Sequence, residues 1–128
     1  MRALLDTHTL LWWLFDDRRL SDRARQMIEA SANEILVSSA SGWEIMTKHR
    51  LGKLPEADAA VRDLRGAIRR AGFDALPISL EHAIEAGRLV STHRDPFDRI
   101  LAAQSRLEGI PLITDDKAFG SFSVSTLW

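Results

Sequence analysis

Apolar residues fall along the chain in short runs separated by capping residues. Two spacings alternate, one suited to strands and one to helices. Ala3-Leu4-Leu5 is an apolar run that stops at Asp6-Thr7, two good N-caps for a helix carrying Leu10 to Phe15. Ser21 caps a second helix, with Ala24, Met27 and Ile28 on one face. Glu34 to Ser38 reads as a buried strand, and Ser39 or Ser41 starts a helix that stops at Gly52. Pro55 opens a new segment in which Val61, Leu64, Ile68 and Ala71 predict one helix ending at Gly72. Phe73 to Ile78 is a weaker strand, interrupted by Pro77. Ser79 caps a helix with Leu80, Ala83, Ile84 and Gly87 on one side. Asp95-Pro96 places a cap and a first-turn proline at the head of a helix that runs to Gly109. Ile110 to Thr114 and Ser123 to Leu127 complete the strands. Strands alternating with helices predict an α/β domain with a mostly parallel sheet.

Composition narrows the chemistry. The 128 residues fit one domain, 1–128, with 45% hydrophobic and 27% charged residues. A net charge of −1 means that any nucleic-acid binding must come from local basic patches. With no cysteine, disulfides and thiolate zinc sites are excluded. Asp6, Asp16 and Asp17 break the apolar N-terminal stretch, so neither a signal peptide nor a membrane span is expected, and a cytoplasmic protein is.

Four acids stand where an α/β sheet gathers ligands, beyond the carboxyl ends of its strands. Asp6 follows the first strand, Glu44 lies early in the helix after the second, Asp98 lies in the first turn after Asp95, and Asp116 follows Ile113-Thr114. Converging carboxylates repel unless a cation neutralises them, and hard divalent ions take oxygen ligands. Each acid also has a structural explanation. Asp6 can cap the first helix, Asp98 can reach back to its own cap, Asp115 and Asp116 suit a turn, and Glu44 can lie on a solvated face.

The motifs resemble a known family. Leu4-Leu5-Asp6-Thr7-His8-Thr9-Leu10-Leu11-Trp12, Ser38 through Ile45, Asp95-Pro96-Phe97-Asp98-Arg99 through Gln104, and Leu112 through Phe119 are similar, in order, to four motifs of PIN domains. The likeness is to the toxin halves of VapBC toxin–antitoxin pairs in particular. This resemblance implies a three-layer α/β/α sandwich around a five-stranded sheet, and Mg²⁺- or Mn²⁺-dependent cleavage of RNA that leaves a 5′-phosphate and a 3′-hydroxyl. It assigns catalysis and metal binding to Asp6, Glu44, Asp98 and Asp116, with Asp115 as the alternative to Asp116. It places Thr7 and Thr114 near the site, and implies a cognate antitoxin and a homodimer. Gly42 departs from the pattern, which usually has a larger residue there, and a local packing change is expected.

His8 and His93 are assigned to surface or packing. The basic stretches Lys48-His49-Arg50 with Lys53, and Arg62, Arg65, Arg69 and Arg70, are solvated helix faces or contacts to RNA phosphates. Trp12, Trp13 and Trp43 are assigned mainly to the core, with an exposed ring near Thr7 to Phe15 as a groove for a partner peptide. Two further classes remain: a catalytically silent PIN-like binder of a partner or RNA, and an Asp-dependent phosphatase or receiver domain. His8 stands where such phosphatases place a second acid.

Overall fold

A computed structural model describes residues Met1–Trp128. The elements follow the order β1 (Arg2–Leu5), α1 (Thr7–Leu14), α2 (Asp22–Glu29), β2 (Glu34–Ser38), α3 (Ser39–Arg50), a 3-10 turn (Pro55–Ala57), α4 (Asp58–Val61), α5 (Leu64–Arg70), β3 (Asp74–Leu76), α6 (Leu80–Arg88), α7 (Pro96–Glu108), β4 (Leu112–Ile113), a second 3-10 segment (Lys117–Phe122) and β5 (Thr126–Leu127). The strands form one sheet in the order β3-β2-β1-β4-β5, and every pairing is parallel. The expected five-stranded sheet is present, and it is parallel throughout.

Side-chain alternation divides the core between the two sheet faces. Ala3, Leu5, Ile35, Val37 and Ile113 pack with Leu10, Leu11, Ala24, Ile28 and Ile45. Leu4, Leu36 and Leu112 point the other way, toward Ala86, Leu89, Leu101, Ala102, Phe119 and Phe122. Helices therefore cover both faces, which is why the strands read as unbroken apolar runs.

Three expectations need correction. The helix expected from Val61 to Ala71 is interrupted: α4 ends at Val61, and the Asp63 side chain accepts from the Gly66 N–H to start α5 afresh. On α6 the apolar side, Leu80 and Ile84, faces solvent at 71% and 52% exposure, while His82 and Ala86 are buried. His82 turns inward because its ring accepts the Ser79 N–H in a capping box and reaches Glu108 on α7. The exposed indole belongs to Trp43 on α3, against the Phe97 ring, whereas Trp12 and Trp13 on α1 are half-buried. Helix boundaries otherwise follow the capping residues: Ser21 accepts from Ala24, Ser38 from Ala40, and Asp95 from both Phe97 and Asp98.

Candidate active site

Because all five strands are parallel, their carboxyl ends lie at one edge of the sheet, and β2, β1 and β4 are neighbours there. Asp6 leaves the end of β1 and is 2% exposed. It occupies the cap position of α1 but makes no capping hydrogen bond, so capping does not explain it. Its carboxylate instead accepts the Thr114 hydroxyl at 2.7 Å, from the end of β4. The same Thr114 oxygen accepts the Asp116 N–H.

Glu44 lies on the second turn of α3 and is also 2% exposed, which removes the solvated-face reading. One carboxylate oxygen is hydrogen-bonded by Lys48, one helical turn on. The other, Oε1, is buried with no partner. A buried acceptor left unpaired costs about 1–3 kcal/mol, so this oxygen is unfinished business in the fold. Nearby, the Thr7 and Ser41 hydroxyls bond each other at 2.9 Å and tie the start of α1 to α3.

Asp98 is one turn into α7 and does not reach back to the cap, since Asp95 alone serves the first-turn N–H groups. Its carboxylate is held by His93 Nε2 at 2.7 Å. The sequence reading assigned His93 only to surface or packing and gave Lys48 no individual role. The Glu44–Lys48 spacing was a legible i,i+4 signal, whereas the loop contact of His93 left none.

The fields of the acids overlap. Burial pushes the Asp6 carboxyl up to about 6, the Thr114 hydrogen bond and His8 oppose the rise, and Asp98 adds to it. Burial likewise raises Asp98, against the His93 hydrogen bond, with Asp95 and Glu44 adding to the rise. Burial works against the charge of Lys48, but Glu44, Asp95 and Asp98 together raise it above the ordinary lysine value. Asp6, Glu44 and Asp98 thus form one electrostatic group. Asp116 joins only through Thr114, and one of its oxygens caps Ala118 at the head of the second 3-10 segment. Asp115 is exposed. The largest cavity, about 640 Å³, lies at the opposite, amino ends of β1, β4 and β5 and takes no part in this chemistry.

No three Asp, Glu or His side chains are gathered as a ready-made set of metal ligands, because Lys48 and His93 hold two of the carboxylates. The donor chemistry nevertheless suits a hard divalent cation. It consists of carboxylate oxygens with no thiolate, two acids raised by burial with a smaller repulsion from neighbouring carboxylates, and one buried oxygen without a partner.

The family model described as the PIN domain matches residues 3–124. Ribonuclease VapC16 of Mycobacterium tuberculosis is 37% identical over 70 residues, 55% of this chain and 48% of that one. Ribonuclease VapC22 of the same organism is 28% identical over 122 residues, 93% of this chain and 90% of that one. The match therefore spans about half the length of the first relative and nearly all of the second. Among solved structures, VapBC2 from Rickettsia felis, bound to a DNA fragment from its promoter, superposes with a TM-score of 0.72 at 16% identity, over 99% of this chain and 98% of that one. A toxin–antitoxin complex from Klebsiella pneumoniae gives 0.69 at 25% identity, over 98% and 96%.

Proposed function

The chain belongs to the PIN-domain family, and from that premise we propose that it is a Mg²⁺- or Mn²⁺-dependent ribonuclease, the toxin of a toxin–antitoxin pair. Asp6, Glu44 and Asp98 are its catalytic and metal-binding carboxylates, with Asp116 as the fourth. One observation carries this reading: two carboxylates, each 2% exposed, sit where neighbouring parallel strands end, and one keeps a buried oxygen free of any partner. A purely structural carboxylate would have both oxygens paired or solvated, and Glu44 has only one. Two relatives are ribonucleases by name, which supports the same reading.

The chemistry that a divalent cation supplies in such a site is Lewis acidity toward phosphoryl oxygens and activation of water. Asp6, Glu44 and Asp98 would hold it. The chain's own groups do the rest. Thr114 fixes the rotamer of Asp6 through its hydroxyl, and His93 does the same for Asp98. Burial disfavours the bare charge of Asp6, so a cation beside it is favoured. Lys48 sets a positive charge beside Glu44, where a phosphate would bring negative charge.

On the same reading the chain is one domain over 1–128 that works in the cytoplasm, on RNA, as a homodimer held silent by a protein antitoxin. No helix is long and apolar enough to cross a membrane. Exposed Trp43, Met46, Leu80 and Ile84 offer apolar area to protein partners. The test is cleavage of total RNA in Mn²⁺ and in EDTA by the chain and by Asp6→Asn. Metal-dependent cleavage leaving 5′-phosphates, lost in the folded variant, is expected. Full activity in Asp6→Asn overturns the reading.

A further inference from the structure

Beside the acids, α1 and the end of α3 enclose a cavity of about 290 Å³. Glu44 is part of its wall, so the cavity adjoins the acidic group through that residue. Its other polar walls are Thr7, His8, Lys48 and Lys53, and its floor is Leu11 and Ile45.

The basic stretch that ends α3 divides into groups with different duties. His49 is paired with Asp58, and Lys48 gives one of its three N–H donors to Glu44. Lys53 is exposed, enters no ion pair and lines the cavity. Gly52, at φ +74°, turns the chain back after α3, and Lys53 follows it. Two ammonium groups thus share one small concavity with a single carboxylate, which Lys48 already neutralises. What is left over is Lys53, two N–H donors of Lys48 and the imidazole of His8, all of them suited to an oxyanion.

We propose that this cavity seats a backbone phosphate of the RNA, next along the strand to the phosphate cut at the acids, with Lys53 as its principal contact. The proposal deepens the ribonuclease reading and rests on it. A nucleobase fits poorly here, because the cavity wall carries no Phe, Tyr or Trp ring on which to stack and two of its polar groups are ammonium donors. The contact therefore positions the strand without reading its sequence.

The experiment is fluorescence anisotropy of a single-stranded RNA dodecamer, as oligouridine and as oligoadenosine, in EDTA across a salt series. Wild type is compared with Lys53→Ala and Lys53→Arg, and thermal melts confirm that each folds. Lys53 is exposed, so its removal leaves the core intact. Lys53→Ala should weaken both RNAs by the same factor, roughly fivefold, and make the log–log salt slope shallower by about 0.7, the value for one phosphate on a single strand. Lys53→Arg should restore the slope. An unchanged slope in Lys53→Ala, with wild-type RNA binding intact, overturns the phosphate seat and leaves the ribonuclease reading standing. A loss confined to one base overturns it as well. If a polyglutamate of equal charge binds with the same dependence on Lys53, the cavity is an acidic-peptide site instead. No RNA binding by wild type at any salt also overturns the phosphate seat, while the ribonuclease reading stands or falls on the Mn²⁺-dependent cleavage test.

Discussion

Replacing Asp6 with Asn removes a charge from a carboxylate that is 2% exposed, while leaving an oxygen to accept the Thr114 hydroxyl. The folded chain holds the Asp6 proton up to about pH 6, against 3.8 for an ordinary aspartate. That rise corresponds to about 3 kcal/mol. Below pH 3.8 both the folded and the unfolded state are protonated, and Asp6 imposes no penalty. As pH rises through about 6, the folded state must ionise Asp6 in place, and the stability present at low pH is lost. Asn cannot ionise. Metal-free Asp6→Asn should therefore be more stable than wild type by about 3 kcal/mol at pH 8, with the gap constant down to about pH 6 and closing from there to about pH 4. In urea, with a slope of about 2 kcal/mol/M, this is a midpoint shift of about 1.5 M. Mn²⁺ at 100 times its dissociation constant should give wild type about 2.7 kcal/mol back and the variant much less. A variant less stable than wild type at pH 8 in EDTA, or a gap independent of pH, would refute the claim that ionised Asp6 is a strained element of the fold.

Thr114→Val removes the donor that opposes the rise in Asp6, so a carboxyl titration followed by NMR should place Asp6 above its wild-type value, with a stability loss of about 1–3 kcal/mol. Lys48→Met should destabilise the chain by about 1–3 kcal/mol, discounted because Lys48 is 35% exposed, and adding Glu44→Gln should recover most of that loss in denaturant melts. Arg99 donates to the carbonyls of Ala86, Leu89 and His93, so Arg99→Lys should speed amide exchange across the end of α6 and the loop to Asp95, and cost about 2 kcal/mol by urea unfolding.

The centre of the sheet was readable because β1, β2 and β4 are buried on both faces, and Glu34 to Ser38 has the same limits in the structure as in the sequence. Caps were equally legible at Ser21, Ser79 and Asp95, where a short side chain meets an N–H two or three residues on. The break between α4 and α5 was hidden because Val61, Leu64 and Ile68 keep helical spacing across it, although Asp63 and Gly66 held the local signal. The face of α6 was misjudged because periodicity ranks Leu80 above His82, and only tertiary contacts with Glu108 bury an imidazole. For the acids, spacing suggested where they stand. It carried no information on the partners that orient them, since His93 lies in a loop and Thr114 follows a distant strand; only the family resemblance placed Thr114 near the site.

The hydrogen bond between Thr114 and Asp6 joins residues 108 positions apart. The β1–β2 pairing and the helix that carries Glu44 lie within residues 2–50, whereas β4 lies at 112–113. Until β4 docks beside β1, Asp6 has no donor to hold it and one flank of the site is open. The site is therefore complete only when these two distant parts of the chain are folded together. On the proposed function, a partly folded chain does not cut RNA.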